Sequence, residues 1–129
     1  MPLFINKKEC IYHYSNAQLV SQDPCYKNIN GKPVLIYFTN VASADDAVQT
    51  AKTVFVAEKP LCHKNSYFSK SFGDEAGDLL GLNSHTIQGK ATFQTASPNV
   101  FIEGIPAVKL GDLMVSNNAN TPPTPVFEK

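Results

Sequence analysis

The sequence predicts an all-β fold made of many short strands and hairpins, with at most one short helix. Three observations predict it. Seven glycines and nine prolines punctuate the 129-residue chain from end to end. The segments between them are short and rich in β-branched and aromatic side chains, the residues that fit a pleated surface. A single segment has the make-up of a helix.

Taken in order, Pro33 to Phe38 is a compact β-rich run. Ser43 to Lys52 follows, with Ser43 as an N-cap and acids in the first turn, and is the one predicted helix. Thr53 to Val56 is a second strand-type run, and Gly73 to Gly77 reads as a loop or one helical turn. Thr86 to Thr95 is the clearest strand; Ile87 and Phe93 share parity and Gly89 marks a bulge. Asn99 to Glu103 and Ala107 to Leu110 form a hairpin across Gly104, Ile105 and Pro106. Leu113 to Val115 comes after a turn at Gly111 and Asp112. Residues 1–120 make one domain, and 121–129 are a Pro-rich tail, an extended or mobile end of polyproline character. Thr53 to Pro60 also echoes Asn99 to Pro106: each is a β run, a turn and a proline. Such an echo is either a pseudo-symmetric pair of hairpins or a coincidence between two amphipathic strands.

Composition narrows the function. A chain this long buries roughly two-thirds of its unfolded surface and holds its own core. Eleven basic and eleven acidic residues cancel, and every basic residue is lysine. A neutral chain without arginine is a poor nucleic-acid binder. No apolar run approaches membrane-spanning length. The apolar start stops after Ile5 and its lysines follow, the reverse of a signal peptide. The chain is therefore expected to be made in the cytoplasm and exported, if at all, by a signal-independent machine.

Cys10, Cys25 and Cys62 are an odd number, read as thiols or metal ligands before disulfides. Cys62 and His63 are adjacent, and neighbours on a strand point to opposite faces, so both reach one ion only from a turn. Spacing alone leaves two readings open: a zinc set, or a small buried cysteine with surface histidines. A thiol nucleophile, Cys25 or Cys62 with His85 as base, finds no nucleophile elbow or oxyanion loop in the sequence. Asp74, Glu75 and Asp78 lack the alternation of a calcium loop and read as solvated turn acids. Gly89 and Lys90 lack the upstream glycine of a phosphate loop.

Several blocks together resemble one family. They are Asp23 to Cys25, then Lys52 to Val56 with Lys59 and Pro60. Ser66 to Ala76 follows, then His85 to Phe93, and last Val100 to Gly104 with Asp112 and Leu113. In this order and spacing, across about residues 20 to 120, they resemble the PAAR-like proteins of bacterial contractile injection systems, chiefly the type VI secretion spike. The resemblance implies a conical β fold whose broad base sits on a trimeric VgrG-type spike and whose point leads into the target membrane. It implies no catalysis and no stable membrane insertion before firing. The protein would be cytoplasmic at first and then delivered with the spike, its effector or chaperone cargo bound non-covalently. Related PAAR chains pin the apex with zinc. Here Ser116 to Asn120 stands where a histidine-containing run is common, so the zinc set implied is drawn from Cys25, Cys62, His63 and His85, with a metal-free tip as the competing reading. A cap of this kind must carry three similar hairpins or meet three equal subunits unequally. The rival functions are an adaptor for an effector or chaperone and a small zinc-dependent enzyme.

Overall fold

The computed structural model describes residues 3–129; Met1 and Pro2, the start of the expected domain, lie outside the described residues. The fold is all-β. Its strands are β1 (Phe4–Ile5), β2 (Lys8–Glu9), β3 (Ala17–Ile29), β4 (Lys32–Ser43), β5 (Ala47–Val48), β6 (Phe55–Val56) and β7 (Lys59–Pro60). After these come β8 (Tyr67–Phe68), β9 (Ala91–Phe93), β10 (Phe101–Ile102), β11 (Ile105–Pro106), β12 (Leu113–Val115), β13 (Thr124–Pro125) and β14 (Phe127–Glu128).

Three units of one design organise the chain: residues 3–15, 54–66 and 100–112. Each opens with a two-residue hairpin, β1–β2, β6–β7 or β10–β11. Both turn residues of each hairpin have positive φ: Asn6 and Lys7, Ala57 and Glu58, Glu103 and Gly104. This is the turn geometry whose twist matches paired strands. The same bond closes each hairpin, from Cys10 N–H to Leu3 O (2.9 Å), Leu61 N–H to Val54 O (3.1 Å) and Ala107 N–H to Val100 O (2.9 Å). The units then bond head to tail around a circle. His13 N–H donates to Pro60 O, Lys64 N–H to Pro106 O and Leu110 N–H to Glu9 O, at 2.9–3.0 Å. A buried side chain ends each unit by accepting from the backbone N–H three residues earlier: Ser15 from Tyr12, Ser66 from His63, Asp112 from Lys109. The echo seen between two segments is thus a threefold repeat, and its third member is the N-terminal stretch.

Beyond the units, strands continue the circle. One sheet has the order β13–β12–β9–β8–β5 and another β14–β3–β4. Because β4 leads into β5 and β13 into β14, the ladders follow a closed circuit. The interior is graded. Ile5, Cys10, Leu61, Ile102 and Ala107 pack beneath the hairpins. Ile11, Leu19, Phe68, Phe93, Met114 and Val126 belong to the larger cluster beyond. The far end is polar, with Ser21, Asn40, Ser71, Ser116, Asp23, Asp74, Asn117 and Asn120 all buried. Strand β3 spells out the gradient: its inward positions, two residues apart, are Ala17, Leu19, Ser21, Asp23 and Cys25.

Four local expectations need correction. The predicted helix at 43–52 is one 3₁₀ turn, Ala44–Asp46, capped by Ser43 as expected; Ala47–Val48 then leaves as a strand because it pairs with β8. Of Thr86 to Thr95 only Ala91–Phe93 is strand. Residues 86–89 instead wrap the Asn117 amide, whose Nδ2 donates to Thr86 O (2.6 Å) and whose Oδ1 accepts from Gly89 N–H (2.9 Å). Gly89 is there for close approach, since a Cβ would lie 2.5 Å from Asn118 Nδ2. The third hairpin turns at Glu103 and Gly104, earlier than the span Gly104 to Pro106. The tail is extended, but it is tied in through β13 and β14, and Val126 between them is fully buried.

Candidate functional site

Two features stand out, one at each end of the interior gradient. At the hairpin end, Phe4, Phe55 and Phe101 occupy the same position in the three units. They are exposed to 58 %, 55 % and 58 %. Strand alternation explains why: the next residue of each hairpin (Ile5, Val56, Ile102) turns toward the core beneath. The outcome is three apolar side chains at threefold-equivalent positions, each open to solvent.

At the polar end, Asp23, Cys25 and Asp74 are all buried, and one ligand atom from each lies within 4.8 Å of the others. Asp23 and Cys25 are two residues apart on β3 and so share its inward face. Asp74 follows Gly73, which has φ +125° and touches β4 so closely that a Cβ would lie 2.0 Å from Thr39 O. Asp74 was expected to be a solvated turn acid like Glu75 and Asp78. It turns inward instead, and both its oxygens accept from Gln88 N–H at 3.0 and 3.2 Å. Glu75 and Asp78 are exposed as expected.

Asn120 locks this end together. Its Nδ2 donates to Asp23 Oδ1 (2.6 Å) and Pro24 O (2.9 Å), and its Oδ1 accepts from Asn83 N–H (2.6 Å) and Ser84 N–H (3.0 Å). The histidine-free stretch Ser116 to Asn120 therefore contributes amides to the polar end. Three buried oxygens there have no hydrogen-bond partner: Ser21 Oγ, Asp23 Oδ2 and Asn40 Oδ1. Burial pushes the Asp74 carboxyl up to about 7, helped by neighbouring Asp23. Burial and the same two carboxylates push the Cys25 thiol up to about 12.

Of the four expected ligands, the structure brings Cys25 into a cluster, with two aspartates in place of Cys62, His63 and His85. Cys62 and His63 belong to the second hairpin unit, Cys62 in the apolar core and His63 bridged to Ala107. His63 is buried, which holds its imidazole below the ordinary range. His85 is exposed, at positive φ, in the loop before Thr86. Burial drives the Cys62 thiol to about 12 and Cys10 to about 11. Thiols raised this far are the opposite of activated nucleophiles.

Residues 17–123 match the family model Tox-PAAR-like, described as the toxin PAAR-like domain. The chain belongs to the PAAR-like family. The family is a structural, spike-associated one, and its match starts at β3, after the first hairpin unit. No curated protein and no solved structure matches the chain. Among the described residues, no helix is long and apolar enough to cross a membrane.

Proposed function

We propose that this PAAR-like chain is a non-catalytic tip that caps a trimeric VgrG-type spike, seated by its hairpin end. It would be loaded in the cytoplasm and leave with the spike. The observation that supports this is the threefold set Phe4, Phe55 and Phe101, with near-equal exposure on three hairpins of one design. Three anchors related in this way fit a partner that offers the same pocket three times. With a little over half of each ring exposed, the three supply roughly 300 Å². A stable interface needs about 800 Å² per partner. A partner meeting one hairpin would cover a third of the anchors and fall far short. Edges of a β-helical spike also need covering, and short paired strands suit that task.

Native mass spectrometry with the cognate spike tests the reading. One copy of this chain per three spike chains is expected. The triple variant Phe4→Asp, Phe55→Asp, Phe101→Asp should abolish the complex without unfolding the protein, because all three side chains are already solvated. Three copies per trimer, or a triple variant that binds like wild type, would refute it.

A second reading, an adaptor for effector or chaperone, draws on another surface. Val20, Leu35 and Tyr37 are exposed on the outward face of β3–β4. Exposed Leu80 and Leu82 run alongside, held by backbone bonds to Tyr26 and Pro24. An apolar patch of this kind away from the hairpin end favours a cargo contact. Leu35→Asp with Tyr37→Asp should then release cargo in a pull-down while leaving spike binding intact.

A further inference from the structure

We propose that the free edge of β4, from Val34 to Phe38, takes an extended segment of a cargo protein as an added strand. The inference rests on the adaptor reading and goes beyond it, from an apolar face to a backbone edge with a defined phase. β4 is the outer strand of the sheet β14–β3–β4. In an antiparallel ladder, the two residues of a non-hydrogen-bonded pair direct their N–H and C=O groups away from each other. Val41 and Phe72 show which residues of β4 these are. Each donates its N–H to the other's carbonyl, at 2.7 and 2.8 Å, on the side of β4 that faces away from β3. The far side of β3 is in the same phase. Tyr26 donates to Leu80 O and accepts from Leu79 N–H, and Pro24 O accepts from Leu82 N–H. The ladder partners of Tyr26 and Pro24 are Leu35 and Tyr37. Leu35 and Tyr37 therefore present N–H and C=O groups to the open side, and no backbone group among the described residues bonds them there. Both ends of the opening are closed. Pro33, the next residue in phase, has no N–H to give. At the other end Gly73 lies so close that a Cβ would be 2.0 Å from Thr39 O.

The side chains suit an added strand as well. Val34 to Phe38 is an apolar run with no charge. Leu35 and Tyr37 are exposed on its outer face, with exposed Phe72 beyond them. Val34, Ile36 and Phe38 alternate onto the other face and are exposed or half-buried. An incoming strand would have apolar neighbours on both faces. Edge strands are normally blunted by charge, by a bulge or by a cover. Inside this opening none of these is present. Backbone bonds then supply affinity, and alternate side chains supply specificity.

The geometry also selects the occupant. A second copy paired two-fold about Ile36 would carry its rigid hairpin past the opening, and its Lys32, Gly31 and Asn30 would meet Phe72 and Gly73. The opening is roughly 17 Å long and one strand wide, far short of the roughly 800 Å² per partner that a stable dimer needs. A flexible segment turns away at each end. Charge narrows the choice further. Lys32 is exposed at one end, and Lys70 lies over the Phe72 ring at the other, 5.5 Å from its centroid. Glu75, which follows Gly73, already accepts from Gly73 N–H and Gln88 Nε2. The segment that fits is apolar in the middle and acidic at its flanks.

A phage library of random linear dodecapeptides, selected on the full-length protein, supplies the probe. Enriched sequences are expected to alternate apolar side chains between acidic flanks. The synthesised peptide should protect the Leu35 and Tyr37 N–H groups from hydrogen exchange. Leu35→Pro removes an N–H that the protein does not use internally, a change that edge strands tolerate. It should weaken binding about tenfold or more, whereas Leu35→Val should stay within about twofold of wild type. If Leu35→Pro does not fold, peptides N-methylated at alternate residues carry the same test: one phase should lose binding and the other keep it. Binding indifferent to Leu35→Pro and to both methylation phases, yet lost with Leu35→Asp and Tyr37→Asp, would overturn edge pairing and leave the adaptor reading standing. Cargo retained by that double variant in the pull-down would overturn the adaptor reading and this inference with it. A library that yields no binder at this edge would overturn the proposal. So would a dimer in sedimentation that Leu35→Pro splits, since the occupant would then be a second copy.

Discussion

Replacing Asn120 with alanine should be among the most damaging single substitutions in this protein, although it removes one polar side chain. Asn120 uses all of its bonding capacity: two donated bonds, to Asp23 and Pro24, and two accepted ones, from Asn83 and Ser84. A net value of about 1 kcal/mol per bond gives a loss of about 4 kcal/mol. Against a typical total of roughly 5–15 kcal/mol, that is a large share of the stability. In a chain of this size it corresponds to a fall of about 12–20 °C in melting temperature. Urea unfolding followed by tyrosine fluorescence measures it directly, and Asn118→Ala is the control. Asn118 is exposed and its amide nitrogen donates a single side-chain bond, to Thr86 Oγ1, so its loss should cost less than about 1 kcal/mol. An Asn120→Ala protein within 1 kcal/mol of wild type, or an Asn118→Ala protein equally damaged, would refute the idea that the amide ties this end together.

Other expectations follow from the same geometry. Ala57 and Glu58 sit at positive φ in the second hairpin turn, so Ala57→Asn with Glu58→Gly should raise stability by about 1–2 kcal/mol, seen as a higher urea midpoint at unchanged slope. Val126 is fully buried between β13 and β14, so Val126→Ala should cost about 1–3 kcal/mol in the same assay, which a freely moving tail would not. Burial holds the His63 imidazole below its ordinary value. The unfolded chain therefore takes the proton more readily, stability is full above about pH 6.5 and falls as pH drops below it, and His63→Gln should flatten that part of the profile. With their thiols raised to about 11 and 12, Cys10, Cys25 and Cys62 should react with a thiol reagent at pH 8 only in denaturant; rapid labelling of native protein would contradict their burial.

What could be read in advance was what local pattern encodes. The hairpin at 101–106 and the strand at 113–115 carry their own turn and strand residues, and both were legible. The threefold repeat was half legible. Two units share a proline after the turn, whereas the first has Glu9 at that position, and equivalence there lies in backbone bonds. The longest strand, β3, was missed because its inward face changes from Ala17 and Leu19 to Ser21 and Asp23, which erases the apolar alternation. Its turn, Asn30 and Gly31 with φ of 52° and 83°, was a readable hairpin signal. Thr86 to Thr95 misled for a different reason: β-type residues there bond to an asparagine side chain about thirty positions away. The cluster itself was legible only at Cys25. Nothing local distinguishes the buried Asp74 from its solvated neighbour Glu75, because the difference comes from Gly73 pressing against β4.

The head-to-tail circle has a consequence for biosynthesis. Cys10 bridges Lys109, and Ile11 N–H bonds Val108 O, so the first hairpin finds its neighbour almost a hundred residues downstream. Until residues 107–128 have left the ribosome, the earliest part of the chain waits with apolar surface bare. Closure is then a late, long-range event, the kind that folds slowly and invites association with other nascent chains in the meantime.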